Sequence, residues 1–93
     1  MQENFSKNGE ILIKAIGQVI CNERKKLNKT IYLISAESSM SKSTWRDVEL
    51  GICKDIKLIT LCKIAEGLDM NAHQLLEKVY SQLDVNFSLT GFN

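Results

Sequence analysis

Apolar residues in this chain recur at intervals of three and four, and each run is bounded by a residue that caps or breaks a helix. Leu12, Ala15, Ile16, Val19, Ile20 and Leu27 place a first helix over residues 10–27, and Asn28-Lys29 breaks it. Thr30 is suited to cap a short second helix over 31–37. Ser38-Ser39 then turns the chain, and Ser41 caps a third helix over 42–50. Gly51 sits where a helix stop favours positive φ. Residues 52–54 connect to Asp55, read as the cap of a fourth helix over 56–68, with Ile56, Ile59, Leu61, Ile64, Ala65 and Leu68 toward the core. Asn71 with Gln74 three residues on is a capping-box pattern. It opens a fifth helix over 72–83, with Leu75, Leu76, Val79 and Tyr80 inward.

The expected fold class is therefore all-α: five helices in one domain over 10–83, with a polar leader over 1–9 and a tail over 84–93. In the tail Val85, Phe87 and Leu89 alternate with polar residues, a strand period. Five helices already close a core in 93 residues. The tail is thus expected to be a dimerisation arm, with Val79, Leu83, Val85, Phe87 and Leu89 at the interface of a homodimer, the alternative being a tail that folds back on its own subunit, over Phe5, or is disordered. The absence of proline and an apolar fraction of 44% suit helices meeting at short turns.

Composition narrows the function classes. No stretch approaches the ~20 apolar residues of a membrane span, and the N-terminus lacks a basic segment with an apolar run behind it. The expectation is a cytoplasmic protein with no membrane partner. Three cysteines without CxxC spacing (Cys21, Cys53, Cys62) and one histidine (His73) suggest no metal site and no cofactor; the cysteines read as small buried thiols and His73 as a surface residue. There is no nucleophile elbow and no phosphate-cradling glycine loop, so an enzyme is not expected.

Net charge is only +1, but it is unevenly spread. From Arg24 to Lys63 there are nine basic and four acidic residues, a local +5 that leaves −4 for the two ends. Such a basic middle can present one positive face to phosphates. Within it, residues 31–50 read as two short helices joined by a tight turn. Ile34, Met40, Trp45 and Val48 would lock the pair, and Ser35 and Ser38 are small where the helices must approach. That arrangement lets the third helix stand proud enough to enter a major groove ~12 Å wide.

The order of elements and its residues resemble the phage repressor and Cro-type helix-turn-helix family. The resemblance spans about residues 16–76. It is carried by Ile16-Gly17-Gln18-Val19-Ile20 through Arg24-Lys25-Lys26-Leu27, by the run from Ser41 to Gly51, by Leu61-Cys62-Lys63-Ile64-Ala65-Glu66-Gly67-Leu68, and by Gln74-Leu75-Leu76. It implies a five-helix bundle like the lambda repressor domain that binds double-stranded DNA as a dimer and regulates transcription. It also implies a structural ion pair between Arg24 and Glu49. Three positions depart from the family pattern. Ile31 stands where glutamine usually opens the second helix, leaving only a backbone amide for phosphate. Ser39 replaces the usual turn glycine, at a cost of ~1 kcal/mol for positive φ. The loop after Gly51 has Lys54-Asp55 instead of proline.

On this reading Ser41, Lys42, Ser43, Thr44, Arg46 and Asp47 face the bases. Lys42 and Arg46 suit guanine O6 and N7, the Thr44 methyl suits thymine, and Asp47 suits cytosine N4 or the orientation of Arg46 or Lys42. Lys29, Thr30, Ile31, Lys54 and Lys57 are assigned to phosphates. Trp45 is assigned to the core. The expected function is a repressor-type transcriptional regulator on a palindromic operator. The rival expectations are an antitoxin that represses its own promoter while binding a toxin, and a protein-interaction module that keeps the fold. In either, the partner is a protein such as a toxin or an anti-repressor.

Overall fold

A computed structural model of the chain describes residues 2–91, with side chains from Lys7 onward. Five helices follow one another: α1 (Gln2–Lys26), α2 (Ile31–Glu37), α3 (Lys42–Glu49), α4 (Leu58–Gly67) and α5 (Ala72–Ser81). The all-helical fold class expected from the periodicity is therefore observed, and no strand occurs among the described residues. At 1.5 Å per residue, the 25 residues of α1 span ~37 Å, which accounts for the 40 Å long dimension of the molecule. α1 packs on α3 and α5, α2 on α3 and α4, and α4 on α5.

The core lies between these helices. Ile16, Val19 and Ile20 come from α1, Ile34 from α2, Trp45 and Val48 from α3, Leu61, Ile64 and Ala65 from α4, and Leu75 and Val79 from α5, with Leu68 just beyond α4. The expected lock between α2 and α3 is present: Ile34, Trp45, Val48, Ser35 and Ser38 are buried and Met40 packs against them. Gly17 is where α1 meets the end of α3. A Cβ there would lie 2.5 Å from the Val48 carbonyl oxygen and 2.6 Å from that of Glu49, both backbone atoms. Gly67 serves the same purpose at the α2–α4 crossing, where a Cβ would collide with the Ser38 hydroxyl.

Each of the first four helices is closed by a left-handed residue: Asn28 (φ 57), Ser39 (φ 56), Gly51 (φ 73) and Asp69 (φ 63). After each, an amide reaches back five residues: Lys29 to Arg24, Met40 to Ser35, Ile52 to Asp47 and Met70 to Ala65. These are Schellman closures, which satisfy carbonyls the helix end would leave unpaired. Only one uses glycine. The short polar side chains of asparagine, serine and aspartate make the other three tolerable.

Four expectations need correction. The leader is not separate, since α1 begins at Gln2. Asn8 Nδ2 donates to the Ser88 carbonyl at 2.8 Å, tying this early turn to the tail. The fourth helix starts at Leu58, not at residue 56, and its N-cap is Lys57, not Asp55. Residues 52–57 run as a connector because Cys53 and Ile56 pack against the core and hold the chain to the surface. Ile59 is exposed, not core; it falls about 160° around the helix from Leu61. The tail forms turns, not a strand. Phe87 is half-buried and meets Tyr80 edge-on, with centroids 6.3 Å apart, so the tail folds back on its own chain.

Candidate nucleic-acid interface

α3 is fastened by one face and open on the other. Trp45 and Val48 are wholly buried, whereas Lys42, Ser43, Thr44 and Arg46 are exposed and Asp47 is half-exposed. The helix starts at Ser41, whose hydroxyl accepts from the Thr44 amide at 3.1 Å. It also donates to the Thr44 hydroxyl at 2.7 Å and lies 3.4 Å from that of Ser43. Ser41 is thus committed first to the helix start, while Thr44 keeps a proton to donate and its methyl group. Arg46 Nε lies 3.8 Å from Asp47 Oδ1 in an exposed, loose pair. Such pairs are worth ~0–1 kcal/mol, so the guanidinium is oriented without being consumed.

The residues assigned to phosphates divide. Lys54 and Lys57 are exposed and make no ion pair among the described residues. They lie on the connector immediately after α3, which Cys53 and Ile56 anchor. Thr30 caps α2 by accepting from the Leu33 amide at 3.1 Å. Ile31 is half-buried against the core, which leaves its amide, at the start of α2, as the group it could offer a phosphate. Lys29 is brought to Glu37 instead: Nζ donates to Oε1 at 2.7 Å, and that hydrogen bond raises the ammonium pKa. Tyr32, which was not assigned a role from the sequence, is largely exposed at the second position of α2.

Arg24 and Glu49 meet as the resemblance implied. Arg24 Nε donates to Glu49 Oε2 at 2.6 Å and Nη2 to Oε1 at 3.0 Å, a bidentate pair with side chains 12% and 6% exposed. Two further partners carried no sequence signal. Trp45 Nε1 donates to the same Oε2 at 2.6 Å, and Arg24 Nη1 donates to the Lys29 carbonyl at 2.7 Å. The network thus joins α1, the α1–α2 turn and both the middle and the end of α3. Burial pushes the Glu49 carboxyl up, but hydrogen bonds from Arg24 and Trp45 and the charge of Arg24 outweigh it, and its pKa is lowered. The Arg24 guanidinium is raised, chiefly by its hydrogen bond to Glu49.

The residues expected at a dimer interface are not a surface together. Val79 is fully buried in the chain's own core and is removed from any interface. Leu83 packs against that core and Phe87 against Tyr80, leaving Val85 and, in part, Leu89 exposed. The three cysteines are free and half-buried, less enclosed than expected, and His73 is exposed. Among the described residues no group of three or more histidine, cysteine or acidic side chains could hold a metal ion. Among the described residues no helix is long and apolar enough to cross a membrane. The chain matches no family model, and comparison with curated proteins and with solved structures gave no match.

Proposed function

We propose that the chain is a sequence-specific DNA-binding transcriptional regulator of the repressor type, a helix-turn-helix protein with α3 as its recognition helix, acting as two copies on a palindromic operator. One observation carries this reading. α3 is pinned through Trp45 and Val48 and by the Glu49 network, and its opposite face presents Lys42, Ser43, Thr44 and Arg46 to solvent with no buried commitment beyond the cap. A helix held this rigidly, with donors of this kind outward, is what direct reading of base edges requires. The unpaired Lys54 and Lys57 on the next segment supply charge for phosphates, which fix register without reading sequence.

The test is selection of bound sites from random duplex DNA, followed by Arg46→Ala on the best site. The substitution should weaken binding by ~1–3 kcal/mol and relax preference at one base pair. Selection that enriches no sequence, or an Arg46→Ala variant with unchanged affinity and preference, refutes the reading.

A further inference from the structure

The hydroxyls of Ser41, Ser43 and Thr44 gather at the start of α3, and two of them are joined in one direction. Ser41 Oγ accepts the Thr44 amide at 3.1 Å as the helix cap and donates to Thr44 Oγ1 at 2.7 Å. A serine hydroxyl carries a single proton, so Ser41 has none left to give. Ser43 Oγ lies 3.4 Å from Ser41 Oγ, beyond the ~2.5–3.0 Å of a good hydroxyl hydrogen bond, and does not divert that proton. Thr44 Oγ1 therefore receives a hydrogen bond from Ser41, while its own proton has no acceptor among the described residues. A hydroxyl that accepts one bond of a chain is polarised to donate the next more strongly. The chain runs from Ser41 through the exposed Thr44 and outward.

We propose that Ser41 sets the polarity of the Thr44 hydroxyl and thereby makes Thr44 select thymine against cytosine. The proposal rests on the DNA-binding reading and deepens it at one residue of α3. Thr44 is in the first turn, the end at which a recognition helix meets base edges. In the major groove thymine shows an acceptor, O4, beside its C5 methyl; cytosine shows an amino donor, N4, in the same place and no methyl. An outward Thr44 proton meets O4, and the Thr44 methyl covers the thymine methyl. Against cytosine that proton faces an N–H, and Thr44 has only one lone pair to turn instead, because Ser41 holds the other. Ser41 is then a positioning residue, acting through Thr44 and not on a base. The polarity can be reversed by one substitution. Aspartate caps a helix as well as serine does, but a carboxylate only accepts. In Ser41→Asp the Thr44 proton turns inward to the carboxylate, and the lone pairs left facing the groove suit cytosine N4.

The experiment selects bound sites from random duplex DNA with the wild type, Thr44→Val, Ser41→Thr and Ser41→Asp, and compares base frequencies at each position. A uniform loss of affinity leaves those ratios unmoved, so a merely structural role for Ser41 does not imitate the effect. The wild type should select a position with thymine over cytosine. Thr44→Val keeps the methyl and loses the proton, and should lower that preference by ~2- to 10-fold, the worth of one net hydrogen bond. Ser41→Thr keeps the cap and a hydroxyl and should preserve the preference. Ser41→Asp should move the same position toward cytosine. Far-ultraviolet circular dichroism checks the fold; if Ser41→Asp is altered, Ser41→Gly, a tolerated cap with no hydroxyl, takes its place and should bring the two pyrimidines closer together. A preference unchanged in Thr44→Val or in the Ser41→Asp or Ser41→Gly variant, a preference lost in Ser41→Thr, or a wild-type site with no such thymine overturns the proposal. The two readings fail separately: a selected site that depends on Arg46 but not on Thr44 or Ser41 sinks the polarity proposal alone, whereas a wild type that enriches no sequence sinks the DNA-binding reading on which it rests.

Discussion

Glu49 is the residue whose removal the structure makes most costly. Its two oxygens accept three hydrogen bonds, two from Arg24 and one from Trp45, and its side chain is only 6% exposed. In Glu49→Ala the Arg24 guanidinium keeps only its bond to the Lys29 carbonyl among those backbone and carboxylate contacts, while remaining 12% exposed. The Trp45 indole N–H loses its acceptor in a wholly buried residue. Breaking a buried pair from one side costs ~3–5 kcal/mol, and an orphaned buried donor by itself ~1–3 kcal/mol. These losses overlap, so ~3–5 kcal/mol is the expected total. That is a large part of the 5–15 kcal/mol available to a domain of this kind.

Urea unfolding of the free protein measures it, and Trp45, the only tryptophan, reports directly from the network. With a slope of ~1 kcal/mol per molar, the midpoint should fall by ~3 M or more. Glu49→Gln retains an oxygen acceptor but not the charge and should lie between the two. Arg24→Met/Glu49→Met removes both charges together and should recover much of the loss, giving a coupling energy of ~1–3 kcal/mol. An unchanged midpoint in Glu49→Ala, or strict additivity in the double variant, would show that the network does not hold α3 to α1.

The lowered Glu49 pKa fixes a direction with pH. Its contribution is present above the unfolded carboxylate value of ~4.3 and lost as pH falls through the lower folded value, so the acid limb of the stability curve should be shallower in Glu49→Gln. Gly17→Ala should destabilise by ~1–3 kcal/mol, because the added Cβ meets the backbone carbonyls of Val48 and Glu49 and not a side chain that can move; calorimetry gives the check, and an unaltered melting temperature would contradict the close approach. Lys57→Ala should weaken binding to all duplexes alike and reduce the slope of log K against log salt by roughly one; a base-specific loss with the slope unaltered would remove Lys57 from the phosphate set.

What was legible in the sequence follows from which interactions are local. Caps are local, and Thr30, Ser41 and Asn71 cap as read. The periodic core is nearly so, and Ile16, Val19, Ile20, Ile64 and Leu75 are buried as read. The failures are places where a distant contact decides. Asp55 is as good a cap as Ser41 by residue type, but Cys53 and Ile56 pull the chain past it before α4 can start. The tail alternates like a strand, yet it forms turns, held by Tyr80 seven residues before Phe87 and by Asn8 eighty residues before Ser88. Within the candidate site the exposed donors of α3 were legible, whereas the capture of Lys29 by Glu37 was not, because it depends on how α2 is set against the end of α1.

That capture changes how the basic middle of the chain should be understood. Counted along the sequence it carries +5, but the charges are not equal in the fold. Arg24 is bound to Glu49 and Lys29 to Glu37, so two cations and two acids cancel in place. Arg46 is loosely held by Asp47. What is left without an ion pair among the described residues is Lys25, Lys42, Lys54, Lys57 and Lys63 against Asp55. Three of these lysines fall between the start of α3 and the start of α4. The Arg24–Glu49 and Lys29–Glu37 pairs neutralise charge where they join elements, and three of the lysines left over lie on the stretch that runs from α3 to the start of α4. A protein with a net charge of +1 can therefore still offer phosphates a local field, since the Debye length of about 8 Å at physiological salt makes neighbouring lysines matter more than charges farther off.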